Sequence, residues 1–263
     1  MTTRRTYLDR ILEAHRVEAG SDQRDLAALV QECEELPPAR GFRERLRVDA
    51  DSGLAVIAEI KRRSPSKGDL CAALDPSTLA RSYEGGGASC LSVLTDREFF
   101  GGSPEDLQTA RNAVSVPVLR KDFTVSERDV CDARLMGADC VLLIAAALDD
   151  VELGSFHHLA RRIGLDVLVE IHDEAELERA LMIGADLVGV NQRDLVTFEV
   201  DHERAVRMAA LMPAGVVRVA ESGVRDTGDA RSLRAAGYHA VLVGESLVTS
   251  SNPEASVRAL RSV

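Results

Sequence analysis

Lysine is scarce in this chain. Of 32 basic residues, 29 are arginine and three are lysine: Lys61, Lys67 and Lys121. Arginine stays protonated at any working pH, whereas a lysine gives up a proton once its surroundings lower its pKa. Lysines in so arginine-rich a chain therefore mark places where arginine chemistry would fail. Chance composition is the competing reading, and position decides between the two. Glu59 precedes Lys61 by two residues, and Lys121 stands in Leu119-Arg120-Lys121-Asp122-Phe123. Other apolar runs end in Val169-Glu170, in Val190-Asn191-Gln192-Arg193 and in Ala220-Glu221-Ser222-Gly223. Two lysines among three acids in one mouth supply acid–base partners whose pKa values shift through proximity and burial.

Something must bring these groups together, and the apolar rhythm of the chain says what. Eight short runs rich in Val, Leu and Ile lie at 54–61, 90–95, 116–121, 140–144, 166–170, 187–191, 217–220 and 240–244. Near-continuous apolar runs suit parallel strands buried on both faces. Helical segments alternate with them, at 76–84, 103–113, 127–136, 149–163, 174–182, 201–211, 227–236 and 253–261. Several open on helix-start chemistry: Asp75-Pro76, Ser103-Pro104, Ser126-Glu127 and Asn252-Pro253. Gly87-Ala88-Ser89, Gly137-Ala138-Asp139, Gly184-Ala185-Asp186 and Gly237-Tyr238-His239 repeat one join between a helix and the next strand.

Eight such units in 263 residues predict an α/β fold, a single closed (β/α)8 TIM barrel over residues 54–263. The open doubly wound alternative lacks its G-x-G-x-x-G after the first strand. Residues 1–53 form an N-terminal helical extension, with helices at 7–18 and 22–34 and a short turn at 42–46. In such barrels catalytic residues sit at strand C-terminal ends. Five of the eight strands end in ionisable or polar groups on that one rim. A solvated strand end explains any single case but strains over five. Gly223 after the seventh strand and Gly244-Glu245 after the eighth predict a phosphate site built on backbone N–H groups, with the Glu245 side chain turned away.

Bulk properties narrow the partners. A net charge of −11 argues against a nucleic-acid surface, so an anionic ligand needs locally concentrated positive charge. Five cysteines without a C-x-x-C pair, and six histidines without an H-x-x-x-H pattern, predict neither a disulfide framework nor a metal site, and suit a reducing cytoplasm. No run approaches the roughly 18 apolar residues of a membrane span. The start of the chain has no apolar stretch of a secretory signal. The expected partner is a small phosphorylated molecule, with no nucleic acid and no membrane, bound by a monomer or weak homo-oligomer.

The segment Ile57-Ala58-Glu59-Ile60-Lys61-Arg62-Arg63-Ser64-Pro65-Ser66-Lys67-Gly68 resembles the signature of indole-3-glycerol-phosphate synthases. Val118-Leu119-Arg120-Lys121-Asp122-Phe123 is similar to the same family. The resemblance continues through Leu168–His172, Gly189–Leu195, Ala220–Gly223 and Leu242–Glu245 and covers the chain, the extension included. It implies ring closure, decarboxylation and dehydration of a carboxyphenylamino deoxyribulose phosphate in tryptophan biosynthesis, without cofactor or metal. By match of motif, Lys121 resembles the general acid at the ketone and Glu170 the general base. Lys61 resembles the ligand of the carboxylate or phosphate and a candidate acid for dehydration. The family leaves the division between the two lysines open. Glu59, Asn191, Glu221 and Ser222 resemble residues that orient the substrate and the lysines.

Chemistry is consistent with these roles, since a ketone becoming an alkoxide needs a proton donor that arginine cannot be. Phe100, Phe123, Leu142, Leu195 and Pro65 are candidates for the apolar wall around the aromatic ring, with Ser64 and Arg193 as further substrate contacts and Tyr7 reaching in from the extension. His172 is expected to be structural. Two other enzymes compete with this reading. A phosphoribosylanthranilate isomerase would use a cysteine or aspartate acid–base pair, and a Schiff-base aldolase would use Lys121 as nucleophile. A non-catalytic scaffold would have lost the rim charges, and none are lost.

Overall fold

The computed structural model describes residues 6–64, 67–194 and 199–263. Eight parallel strands close on themselves: β1 (Ala55–Ile60), β2 (Cys90–Leu94), β3 (Val118–Lys121), β4 (Cys140–Ile144), β5 (Asp166–Ile171), β6 (Leu187–Asn191), β7 (Val217–Glu221) and β8 (Ala240–Val243). Each strand pairs with its sequence neighbour, and β8 returns to β1 with Ala55 opposite Ala240 and Ala58 opposite Val243. This is the TIM barrel that the alternating pattern predicts. Boundaries moved by a residue or two. The run 116–121 starts pairing at Val118, because Pro117 has no N–H for the ladder, while the seventh strand carries on to Glu221. A two-stranded ribbon, Arg63–Ser64 with Gly68–Asp69, was not expected from the sequence.

The strands read as apolar runs because both faces are buried. Ile57, Leu119, Leu168, Val219 and Leu242 fill the interior, while Val56, Val118, Val141, Val169 and Val241 pack outward under the helices. Those helices are α4 (Pro76–Gly85), α5 (Pro104–Ala113), α6 (Glu127–Leu135), α7 (Asp150–Arg162), α8 (Glu174–Met182), α9 (His202–Ala209), α10 (Thr227–Ala235) and α12 (Pro253–Arg261), with a four-residue α11 (Glu245–Val248) after β8. All eight barrel helices carry an Asp, Ser or Asn cap whose side chain accepts from the first turn. Each cap contributes about 1 kcal/mol. The caps also pin the loops that leave the strand C-terminal ends, which ties helix-start chemistry to the shape of the rim. At the other end the four glycine joins are left-handed, and Gly164-Leu165-Asp166 is a fifth copy.

The extension forms α1 (Tyr7–Ser21), α2 (Leu26–Glu34) and α3 (Phe42–Ala50). The expected turn at 42–46 is a full helix, and its apolar face explains why. Phe42 and Leu46 are completely buried in the interior cluster, beside Ala55, Cys90, Leu187 and Ala240 at the strand starts. They close the barrel floor, each stabilising by about 1.5–3 kcal/mol. Polar ties hold the segment there: Arg40 N donates to Asp139 Oδ1 at 2.9 Å and Arg43 N to Asp166 Oδ2 at 2.9 Å. No helix of the described residues is long and apolar enough to cross a membrane.

Candidate active site

Alternation along a strand sends every second side chain into the barrel. The inward positions run Ala55, Ile57, Glu59 on β1; Leu119, Lys121 on β3; Leu168, Glu170 on β5; Leu187, Gly189, Asn191 on β6; and Val217, Val219, Glu221 on β7. The apolar members of each series belong to one interior cluster. The last member is polar in all five strands, so the barrel is apolar at its floor and charged at its mouth.

At the mouth, Lys121 Nζ lies 3.0 Å from Glu170 Oε2 and 3.6 Å from Glu221 Oε2. Asn191 Nδ2 donates to the other Glu170 oxygen at 3.0 Å, and Lys61 pairs with Glu59. Burial alone would depress the Lys121 ammonium, but the carboxylates of Glu170, Glu221 and Glu59 outweigh it and hold its pKa above the ordinary lysine value. Burial pushes against ionisation of Glu170 as well, yet Lys121 and His172 hold it below the usual carboxylate range. Glu221 goes the other way. Its burial and the neighbouring Glu170 charge raise it, and its Oε1 has no hydrogen-bond partner. Two adjacent carboxyl groups thus differ in their hold on protons, a division that suits acid–base chemistry.

Two glycines make room for this cluster. A Cβ on Gly189 would overlap Glu221 Oε1, and one on Gly244 would overlap Glu59 Oε1 and stand 3.1 Å from Lys61 Nζ. A strand interior at Gly189 and a strand end at Gly244 therefore give up packing so that carboxylates can turn inward. At the end of β7, Ser222 (φ 64°) is left-handed, and Gly223 (φ 76°) follows it. Gln192 Nε2 donates to Ser222 O at 2.7 Å and holds that strained turn. Gly244 leads directly into α11, whose first residue is Glu245. The Glu245 carboxylate, 42% exposed, lies 3.8 Å from Lys67 Nζ.

A cavity of about 670 Å³ opens above these groups, within the size range of small-molecule sites. All the site candidates within the described residues line it: Glu59, Lys61, Ser64, Phe100, Lys121, Phe123, Leu142, Glu170, Asn191, Arg193, Glu221, Ser222, Gly223, Gly244 and Glu245. Pro65 and Leu195 lie outside the described residues. Phe100 and Phe123 stand along one wall, their rings tilted 36° to each other with centroids 6.1 Å apart. Helix α1 adds Tyr7, Leu8 and Ile11 to that side. Leu8 and Ile11 were not singled out as site residues. Lys67, His202, Arg225, Ser246 and Thr249 also line the cavity and were not singled out as site residues. Of these only Lys67 had a signal, its rarity. His172 Nδ1 lies 3.1 Å from Glu176 Oε2 and its Nε2 3.5 Å from Glu170 Oε1, so it buttresses the charged cluster from behind.

Among the described residues, His15, Asp96 and Asp122 alone bring three potential metal donors within 4.8 Å of one another. The protein already engages them: Asp96 accepts from His15 and from the Phe99 and Phe100 amides, and Asp122 accepts from Thr95 and Arg120. The group is an ion-pair network in its present form.

A family model described as indole-3-glycerol phosphate synthase matches residues 8–260. An indole-3-glycerol phosphate synthase of a Nocardioides species is 53% identical over 81% of this chain and 82% of its own. That of Mycobacteroides abscessus is 46% identical over 96% and 92%. Indole-3-glycerol phosphate synthase 2 of Streptomyces coelicolor is 49% identical over 89% and 90%. Among solved structures, a thiamine phosphate pyrophosphorylase from Pyrococcus furiosus superposes with a TM-score of 0.60 at 17% identity, covering 81% of this chain and 95% of that one, a likeness of fold alone.

Proposed function

The chain belongs to the indole-3-glycerol phosphate synthase family, and from that premise we propose how its rim divides the chemistry. The enzyme is a carboxy-lyase of tryptophan biosynthesis. It closes the indole ring of 1-(2-carboxyphenylamino)-1-deoxyribulose 5-phosphate, releasing CO2 and water. The observation that carries the assignment of roles is the Lys121 ammonium between Glu170 and Glu221.

In the first step the ring carbon bearing the carboxylate attacks the ketone, and the ketone oxygen takes up negative charge. Lys121 donates a proton to that oxygen. Its raised pKa does not prevent this, because an alkoxide is a far stronger base than an amine. Donation has a second effect. It removes the cation that depresses Glu170, so Glu170 becomes more basic as Lys121 becomes neutral. Loss of CO2 returns an electron pair to the ring. Glu170 then takes the methylene proton as the hydroxyl leaves, and Lys61 protonates that leaving group. Asn191 fixes the orientation of the Glu170 carboxylate, Glu59 positions Lys61, and Glu221 and Ser222 orient substrate. Phe100, Phe123 and Leu142 wall the aromatic ring, and Ser64 and Arg193 contact the substrate's polar groups. The backbone of Gly223 and Gly244–Glu245 binds the phosphate. We place the enzyme in the cytoplasm, as a monomer or weak homo-oligomer, with its net charge of −11 unsuited to nucleic acid.

Adding the carboxyphenylamino sugar phosphate and following indole absorbance and fluorescence tests the reading. Indole formation, with no adduct trapped by borohydride, is the expected result. A folded protein that forms no indole, or a reduced Schiff base on Lys121, would overturn it.

A further inference from the structure

One side chain of the extension stands against the cavity wall without a part in the steps above. His15 Nε2 on α1 stands 2.9 Å from Asp96 Oδ2 and 3.9 Å from Asp122 Oδ1. Asp96 follows β2, and its other oxygen accepts from the amides of Phe99 at 2.6 Å and Phe100 at 3.1 Å. Asp122 directly follows Lys121 and is held by Thr95 and by Arg120 at 3.1 Å. The His15 ring also packs on Phe123, centroids 5.5 Å apart. One imidazole thus touches the ends of two strands, at the two loops that carry Phe100 and Phe123.

We propose that His15 is a positioning residue, whose imidazolium ties the extension to the Asp96 and Asp122 loops and so holds Phe100 and Phe123 as the wall for the substrate's aromatic ring. The proposal rests on the ring site assigned above. The groups facing His15 are the carboxylates of Asp96, Asp122 and Asp129, with Arg120 offsetting part of Asp122. On its own helix the adjacent Arg16 is engaged with Glu152. Burial opposes the imidazolium, but the Asp96 hydrogen bond and the three carboxylates outweigh it and raise His15 above the ordinary histidine value. Asp96, in turn, is lowered despite its burial. With a raised folded-state pKa, the tie is complete at low pH and is lost as pH rises through that value. The ion pairs of Lys121 are to Glu170 and Glu221, not to His15, so the loss is expected in KM.

His15→Gln keeps a donor near the Nε2 position but not the charge. The expected result is a KM raised about tenfold near pH 6, equivalent to about 1.4 kcal/mol of binding, with kcat within about twofold. The wild type should show a rise of KM toward alkaline pH, and the variant should lack it. His15→Lys, which restores a cation, should recover most of the low-pH KM. The chain has no Trp, so the product's indole fluorescence gives the rates for KM free of Trp background. A lowered thermal midpoint with wild-type KM and pH profile would show that His15 only stabilises, and would overturn the proposal. Should neither variant fold, the wild type still decides. The midpoint of its KM rise must match the His15 imidazole titration followed by NMR, and a mismatch overturns the idea. Indole formation by the wild type stands as a separate control, so failure of the ring assignment and failure of the His15 role are told apart.

Discussion

Lys121→Arg separates a positive charge from a transferable proton. In the structure the Lys121 ammonium already has two carboxylate neighbours, at 3.0 Å and 3.6 Å, and its side chain is 16% exposed. A guanidinium reaching the same place can engage Glu170 bidentately and keep the cluster neutralised. Substrate binding and fold should therefore survive. The proton transfer should not, because arginine does not release a proton at neutral pH. General acid catalysis is typically worth about 10²–10⁴-fold, or about 3–5 kcal/mol at 1.36 kcal/mol per decade. Thus kcat should fall by that factor while KM moves little. Indole fluorescence gives the rate continuously, on a chain without Trp. Arginine is bulkier than lysine, so Lys121→Met serves as a control that removes charge without adding volume. It leaves Glu59, Glu170 and Glu221 facing one another and should be worse than arginine in binding as well as rate. A kcat for Lys121→Arg within about threefold of wild type, less than about 0.7 kcal/mol, would refute the argument. The acid would then have to be Lys61.

Glu221→Gln should flatten the pH dependence of stability. Burial and Glu170 raise Glu221 to about 8, so between its ordinary value of 4.5 and that point the folded chain binds a proton the unfolded chain has released. Stability then falls as pH rises through this window. Urea midpoints at both ends should show the variant gaining on wild type at the alkaline end, and an unchanged slope would count against the assignment. Gly189→Ala should lower kcat/KM at least tenfold and cost about 1–3 kcal/mol of stability, since the added methyl would overlap Glu221 Oε1; steady-state kinetics and thermal melting check both. Phe42→Ala should cost about 3–5 kcal/mol by emptying the barrel floor, yet leave kcat at low temperature unaltered. A thermal midpoint equal to wild type would contradict the burial of that ring.

Much of the barrel was legible because one periodicity carries two messages. In Ile57-x-Glu59 and Val219-x-Glu221, alternation identifies the strand and also predicts that the acid shares the face of the buried aliphatic residue. Charged residues where apolar ones belong stand out in any reading. His15 did not stand out. It falls in register with Ile11 and Leu12 on an amphipathic helix, and Asp96, its nearest partner, is 81 residues away. Phe42 and Leu46 suggested a short turn, because a helix only nine residues long takes its stability from the cavity it fills, and no local pattern encodes a cavity. Gly189 sits bare in the middle of a buried strand, with no local reason for it in the sequence. Its reason is Glu221, on the neighbouring strand.

The closure of the barrel floor by α3 has a consequence for how the chain is made. Arg43 donates to Asp186 O, 143 residues further on. At about 5–20 residues per second of synthesis, roughly 7–30 s separate the appearance of these two partners. Until then Phe42 and Leu46 have left the ribosome with no cavity to enter. The plug is made well before the strands it docks against and is among the last segments of the barrel that can dock. During that interval an apolar helix face stands open to other nascent chains, and the acidic and arginine residues along α3 (Arg43, Glu44, Arg45, Arg47 and Asp49) keep it solvated while it waits.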